Sequence, residues 1–504
     1  MILQNVGSTN IELAQLKVNQ NERSRMNLNQ QIAQPRFKNS FFNYLSVKKP
    51  VGSFKRSQGR MQVHFSKLIP FVTHLKEEET KTKRFKNMGV GLQFKYNMTA
   101  IETGIDLRKD ESFYENASWQ TVSNDTIGFM NYRSESRSGW KQDVIFKKRV
   151  KAFNEDRTTH DYSLAKVLIG YDQHHKPIRW EFQAKTEESY SEERAIVYDS
   201  VGAGLGQYRY DLIFNTYISD PNGAFIAYTV PTGKRDPNTV IEGSQKFTID
   251  LGRISGFPDI LIRGNNRLDY RGSGIEIRKL IQPEITDSLS TRSRLVSRLE
   301  MIYSGKSRFR GWIENQQALN GLDPRGSDLD HFNETGLEID QAISRSITIK
   351  NRGQFRTKSV ESTVSTLRNR DVKGWWNETQ LQVKLNESMD FDLGIMGGFD
   401  SGSQQGDSFS AQAYGVLLNG RFFFKKTGRL HTRVSWAKAL EKNNSEYLPP
   451  EALNGYPIGT SFRSNTRLQY FLNRSVSMIF TLNTIDDDRY DNFITFQGEI
   501  RAHF

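Results

Sequence analysis

A two-residue alternation of apolar and polar side chains runs through most of this chain, and the last twelve residues show it best. Asn492, Ile494, Phe496, Gly498, Ile500, Ala502 and Phe504 alternate with Phe493, Thr495, Gln497, Glu499, Arg501 and His503. Successive side chains of a strand leave on opposite faces, so this segment reads as a strand with one apolar and one polar face. Met389, Phe391, Leu393 and Ile395 alternate in the same way with Asp390, Asp392, Gly394 and Met396. So do Leu430, Val434 and Trp436 with His431, Arg433 and Ser435, and Phe462, Leu468 and Tyr470 with Arg463, Arg467 and Gln469. Upstream, Val90, Leu92 and Phe94 lie opposite Gly91, Gln93 and Lys95, and Ile178, Trp180 and Phe182 opposite Arg179, Glu181 and Gln183. No segment carries a convincing helical period.

The connections sort by length. Counting back from Phe504, the reading alternates a loop (Ile485–Asn492), a tight turn (Asn473–Ser475), a long loop (Glu441–Ser461) and a short turn (Lys425–Gly428). Asp400–Ser408, Asn315–Thr335 and Arg271–Leu289 follow as long loops and Asn369–Trp376 as a medium one. Asn386–Ser388, Asn351–Gly353, Ser304–Ser307, Arg253–Pro258 and Asp172–Pro177 follow as short turns. Glu187–Glu242 reads as a very long loop carrying its own hairpin at Tyr217–Tyr228, with the turn signal Ser219–Gly223 (SDPNG). An up-and-down transmembrane β-barrel alternates in this way, with short periplasmic turns and long extracellular loops. Composition agrees. Hydrophobic residues are 36%, there is no cysteine, and no apolar run reaches the ~18 residues of a membrane helix. Aromatic residues, at 12%, are too frequent for a disordered chain. The expectation is an all-β, large antiparallel barrel of about 20–24 strands over residues 60–504. Residues 1–59 form a strand-like or irregular N-terminal segment, and 187–242 an insertion.

The terminal segment Phe493–Phe504 (FITFQGEIRAHF) resembles the C-terminal insertion signal of bacterial outer-membrane β-barrel proteins. Phe496, Gly498, Ile500, Ala502 and Phe504 carry the likeness, with Gly498 one residue out of the usual register. Tyr447–Phe504 is similar to the C-terminal region of large barrels from Bacteroidetes-like bacteria, and Gly206–Gly233 resembles their Tyr-rich hairpin. The resemblance implies residence in outer-membrane lipid and insertion by the barrel-assembly machinery. It also implies a signal peptide. Met1–Gly7 (MILQNVG) lacks the features of one, so the chain is expected to lack its true beginning.

Chemistry finds little footing. There is no phosphate-binding loop and no H-E-x-x-H, and the Gly202–Gly206 cluster reads as loop. His174-His175 reads as a turn, and Asp486-Asp487-Asp488 as a solvated acidic loop rather than a Ca²⁺ site. Asp328-Leu-Asp330-His331, expected in a long loop, is the best catalytic candidate, and a plain polar loop explains it better. No catalytic, cofactor or metal residue is assigned. The net charge of +13 is spread among acidic residues without a basic patch, so no nucleic-acid partner is expected. Arg433, Arg463, Arg467 and Arg501 are expected to face the lumen on one wall, where they would attract anionic solutes. The clusters Phe422-Phe423-Phe424, Trp375-Trp376 and Tyr470-Phe471 are expected in interfacial aromatic girdles. The expected function is a pore, transporter or translocon component rather than an enzyme. A surface adhesin or structural role is the alternative, and a barrel hydrolase a weaker one. The substrate or protein partner is left open.

Overall fold

Antiparallel pairing between neighbours in sequence organises the described chain. The structure, a computed structural model, describes all residues except 1, 4–6, 19–20, 33, 50–51, 115–117, 155–158, 203, 212–215, 273–289, 405, 425–426, 444–447, 474–475, 489 and 503–504. Strands follow one another from Gly7–Val18 to Tyr490–Ala502, and the only described helical pieces are short 3₁₀ turns. The ladders are antiparallel, and nearly all join consecutive strands. This is the expected all-β, up-and-down architecture.

The chain divides into two compact units. The first comprises Met1–His174, Arg179–Tyr190 and Pro237–Ser244. In it, Met88 pairs with Leu107 and Val90 with Ile105, and all four are exposed on one face. The opposite face carries ion pairs, such as Arg60 with Glu102 at 2.9 Å.

The second unit comprises His175–Ile178, Ser191–Asp236 and Gln245–Phe504. Its registers carry an apolar face from strand to strand: Leu393 pairs with Leu418, Ile395 with Val416, Val416 with Trp436, and Trp436 with Phe462. Further on, Leu482 pairs with Phe496 and Met478 with Ile500. This face is open: Ile395 is 65% exposed and Ile500 70%. A soluble protein rarely leaves so continuous an apolar surface uncovered. The opposite face is polar. Around the buried Trp312 stand Arg298, Arg310 and Arg352, their guanidinium carbons 5.3–5.8 Å from its ring. Arg298 pairs with Glu314 at 2.7 Å, and the Trp312 indole N–H donates to Glu334 at 2.6 Å. The ring lies across Gly336 on the next strand, where any Cβ would collide with it.

Several expected loops are strand instead. Asn315–Thr335 is taken up by Ser307–Asp323 and Gly326–Ala342, joined by a tight turn, so Asp328, Asp330 and His331 lie on a strand. Asn351–Gly353 sits inside Ile347–Ser362, Asp400–Ser408 is mostly strand, and Asn369–Trp376 lies almost wholly within Arg370–Asn386. Asp487 pairs with Tyr490 across the expected loop Ile485–Asn492. Residues 187–242 are largely the extensions of Ile178–Ser200 and Phe225–Asp250. The Ser219–Gly223 signal lies inside Thr216–Gly223, which pairs with Gly206–Asp211. Asn351–Gly353 is a polar interruption between Ile349 and Phe355 on one strand, and the long segments have another reason. A strand that runs past an apolar environment has water on both faces and loses its alternation, so its extension reads as loop. Residues 273–289, most of the expected loop Arg271–Leu289, lie outside the described residues.

Replacing Gly336 with Val drives a side chain into the Trp312 ring. It is expected to destabilise the fold by about 1–3 kcal/mol, read as a lowered thermal midpoint.

Candidate functional site

The polar face of the second unit is not polar everywhere. Where Arg370–Asn386, Met389–Gln404, Asp407–Phe424 and Gly428–Glu441 lie side by side, it carries Gly374, Gly398, Ala411, Ala413, Gly415, Ala437 and Ala439. The registers place them as neighbours: Gly398 opposite Ala413, Ala413 opposite Ala439, and Gly415 opposite Ala437. Small side chains leave a shallow trough over the backbone, and residues 448–458 of the connection to the next strand fill it. Leu453 and Tyr456 are buried there against Trp376, Met396 and Leu417 as well as the alanines, Ala452 is buried with Val372 and Phe409, and Pro449 is buried too. Each such apolar side chain removed from water contributes about 1.5–3 kcal/mol when fully buried, less for alanine.

Polar contacts fix the position of the loop. Its tip, Leu453-Asn454-Gly455, is left-handed at three successive residues, with φ of 48°, 55° and 77°. That conformation costs a leucine roughly 1–2 kcal/mol. It turns the Leu453 N–H onto the Asp400 carboxylate, which accepts it at 2.5 Å. The same Asp400 oxygen accepts from Arg356 at 2.7 Å, and Arg356 also donates to the Asn454 side chain. Arg356 and Asp400 are both buried. They stand on strands separated by Gly374, which is opposite each of them, and a Cβ at Gly374 would fall on the Asp400 carboxylate. The glycine is what lets the ion pair form across the intervening strand.

A second clamp holds Glu451, which accepts from Arg370 at 2.7 Å and Lys358 at 3.1 Å. Burial pushes the Glu451 carboxyl up, but Arg370 and Lys358 outweigh burial and hold it below the usual carboxylate range. The Tyr456 ring stacks on Trp376 at 5.9 Å, takes the Arg463 guanidinium at 4.1 Å on its ring, and donates its hydroxyl to Ser435 at 3.2 Å.

Beneath this loop the polar face keeps a cavity of about 520 Å³, with Trp376, Glu378, Arg433, Arg463, Asn465 and Asn483 among its walls. Asn465, opposite Arg433, bonds Asn483, which donates to the Thr495 hydroxyl at 3.2 Å, so a row of amides and a hydroxyl crosses three strands. Arg433, Arg463, Arg467 and Arg501 all share the polar face, as their registers require. The structure brings Arg433 and Arg463 into the cavity, places Arg467 opposite His431 and Thr481, and pairs Arg501 with Glu499 at 2.7 Å. Phe496, Gly498 and Ile500 share the apolar face of the last strand. The Ala502 side chain and Phe504 lie outside the described residues.

Two expectations are corrected here. Trp375 is exposed on the apolar face, but Trp376 is buried under Tyr456 on the other face and belongs to no girdle. Asp330 and His331 are adjacent on a strand and leave on opposite faces, while Asp328 is tied to Arg368 at 2.9 Å. Sequence reasoning missed the loop seat altogether. Its signal was present as glycine and alanine at positions where a water-facing strand surface would carry polar groups.

No protein-family model matches the chain, and no curated protein resembles it in sequence. Among solved structures, the ferric-catecholate import receptor Fiu of E. coli K12 in its open form is 10% identical, with a TM-score of 0.31 over 96% of this chain and 86% of that one. The outer membrane transporter YddB of Escherichia coli is 8% identical, with a TM-score of 0.38 over 96% and 76%. A mutant of the ferric enterobactin receptor PfeA of Pseudomonas aeruginosa is 10% identical, with a TM-score of 0.37 over 92% and 80%. Likenesses this distant leave the functional argument to the chain's own residues.

Asp400→Ala leaves Arg356 buried without its partner and is expected to cost about 3–5 kcal/mol. Hydrogen exchange of the Leu453 amide should then lose its protection. Glu451 gives a pH test. Because its carboxyl is held below its ordinary value of 4.5, its clamp is complete above that pH and is lost as pH falls through the lowered value. Leu453 protection is expected to be the same at about pH 8 and pH 5 and to fall in stronger acid, and Glu451→Gln should remove the Glu451 share of that fall.

Proposed function

We propose that this chain is a bacterial outer-membrane β-barrel whose polar face lines a passage for polar solutes, narrowed by the seated loop. The exposed apolar face, continuous through the cross-strand registers, is the observation that carries the reading. Hydrocarbon is the surroundings that such a face fits. In hydrocarbon an unpaired strand edge leaves backbone groups unsatisfied at several kcal/mol each, so closure of the sheet follows from the setting. The strands are also long enough. A 17-residue strand such as Arg370–Asn386 spans about 56 Å, more than the hydrocarbon core requires even when tilted. The surplus stands in water and explains the polar extensions. Phe496 and Ile500, on the apolar face of the last strand, support delivery by the barrel-assembly machinery.

A second reading, a surface-binding platform, is favoured by the tyrosine cluster of the extension. Tyr198 stacks on Tyr217 at 3.9 Å and meets Tyr208 at 5.3 Å. Deleting residues 206–223 would separate the two readings, since a platform loses surface binding while a passage keeps its permeability.

The protein is expected in the membrane fraction, extracted only by detergent, with gel mobility that changes on boiling. Reconstituted into planar bilayers it should conduct, and Leu453→Ala, which loosens the loop, should raise the unit conductance. Release in buffer without detergent would sink the membrane reading, and a barrel that stays sealed would sink passage. Leu393→Arg, on the apolar face, is expected to cost about 2–4 kcal/mol if it lies at mid-bilayer depth, read from folding into lipid vesicles.

A further inference from the structure

The cavity below the loop holds guanidinium donors that the described residues around it leave unused. Arg433 makes no hydrogen bond or ion pair with any described residue. Arg463 stands diagonally across from it, since Arg433 is opposite Asn465 and Arg463 opposite Ser435. One Arg463 terminal nitrogen serves the Gly455 carbonyl and lies 3.7 Å from Asp487, but its Nε is buried with no acceptor. The acid in the cavity wall, Glu378, already accepts from the Trp376 indole at 3.2 Å and the Gln380 amide at 3.5 Å. Two guanidinium groups with unused donors therefore face one space, flanked by the Asn465–Asn483–Thr495 row that can donate or accept. Like charges at diagonal positions repel, and an anion placed between them removes the repulsion while satisfying the idle N–H groups. A planar fork of donors suits carboxylate or phosphate oxygens in particular.

We propose that this cavity is a binding site for a small oxyanion, a carboxylate or phosphate group on a polar solute, and that Arg433 is its principal ligand. The proposal rests on the passage reading and supplies its substrate class. Arg463 has a double duty. Its guanidinium covers Tyr456 and holds Gly455, so an anion bound at this guanidinium is coupled to the position of the loop tip. Arg433 makes no hydrogen bond or ion pair to the described residues of the loop, which makes it the residue to vary.

The test uses the full chain in planar bilayers and in detergent. Across a KCl gradient the wild type is expected to show a reversal potential of anion-preferring sign. Inorganic phosphate added to the bath should depress the chloride current saturably. Arg433→Gln should weaken that phosphate effect at least tenfold, and Arg433→Lys should restore part of it. In parallel, calorimetric titration of the detergent-folded protein with phosphate should give binding that Arg433→Gln removes. Its unchanged circular dichroism and heat-modifiable mobility would exclude misfolding. A channel that conducts but prefers cations, or whose phosphate response is the same with Arg433→Gln, overturns the anion site and leaves the passage reading standing. A chain that does not conduct at all overturns passage. The titration then decides the site alone, and absence of Arg433-dependent phosphate binding overturns it.

Discussion

In an antiparallel ladder a residue and its partner leave the sheet on the same side, so a face chosen on one strand is imposed on the next. Val416 hands its face to Trp436, and Trp436 hands it to Phe462. A slip of one residue anywhere in that succession would exchange the apolar and polar faces of every strand beyond it. The penalty for such a slip is the burial of Arg and Glu on one side and the wetting of Leu, Ile and Phe on the other. The hydrophobic pattern therefore does more than favour strands. It fixes the register, and through the register it decides which side chains can meet on the polar face. Arg356 reaches Asp400 only because Gly374 stands opposite both.

The same dependence explains what could be read from residue order. The strands Met389–Gln404, Gly428–Glu441 and Gly459–Phe471 were legible because one side of each is apolar and the other polar over most of its length. The shared face of Arg433, Arg463 and Arg467 was legible for the same reason. Strand ends were not. Ser307–Asp323 and Gly326–Ala342 lose their contrast toward their shared turn, where residues such as Asn315, Gln316 and Gln317 are polar on both sides. The seat of the loop was hidden for a different reason. Ala411, Ala413, Ala437 and Ala439 are neither polar nor strongly apolar, so hydropathy passes over them, and their meaning lies in size. The partners that complete the seat, Arg356 with Asn454 and Lys358 with Glu451, are about a hundred residues apart, and no local pattern links them.

The seated loop balances unlike terms. Leucine at a left-handed position is unfavourable, and a carboxylate buried beside a guanidinium must overcome the desolvation of both. Leu453 and Tyr456 offset this by filling the trough, and the Glu451 clamp adds a charged contact nearer water. Contacts of these two kinds respond differently to conditions. Salt screens the half-exposed Lys358 and Arg370 more than the buried Arg356–Asp400 pair, while the apolar contacts are little affected by it.

The trough has a further consequence for how such a chain can change over generations. Because much of its floor is glycine and alanine, the loop rests close to the backbone there, beside the larger Trp376, Met396 and Leu417. Enlarging one of the alanines therefore presses on the loop, whereas a Cβ at Gly374, Gly398 or Gly415 would strike the backbone of a neighbouring strand. The fit of the loop is thus set in part by residues that a single nucleotide change can enlarge. Selection can act on the fit of this seat through its alanines while the strands, their order and their registers stay as they are.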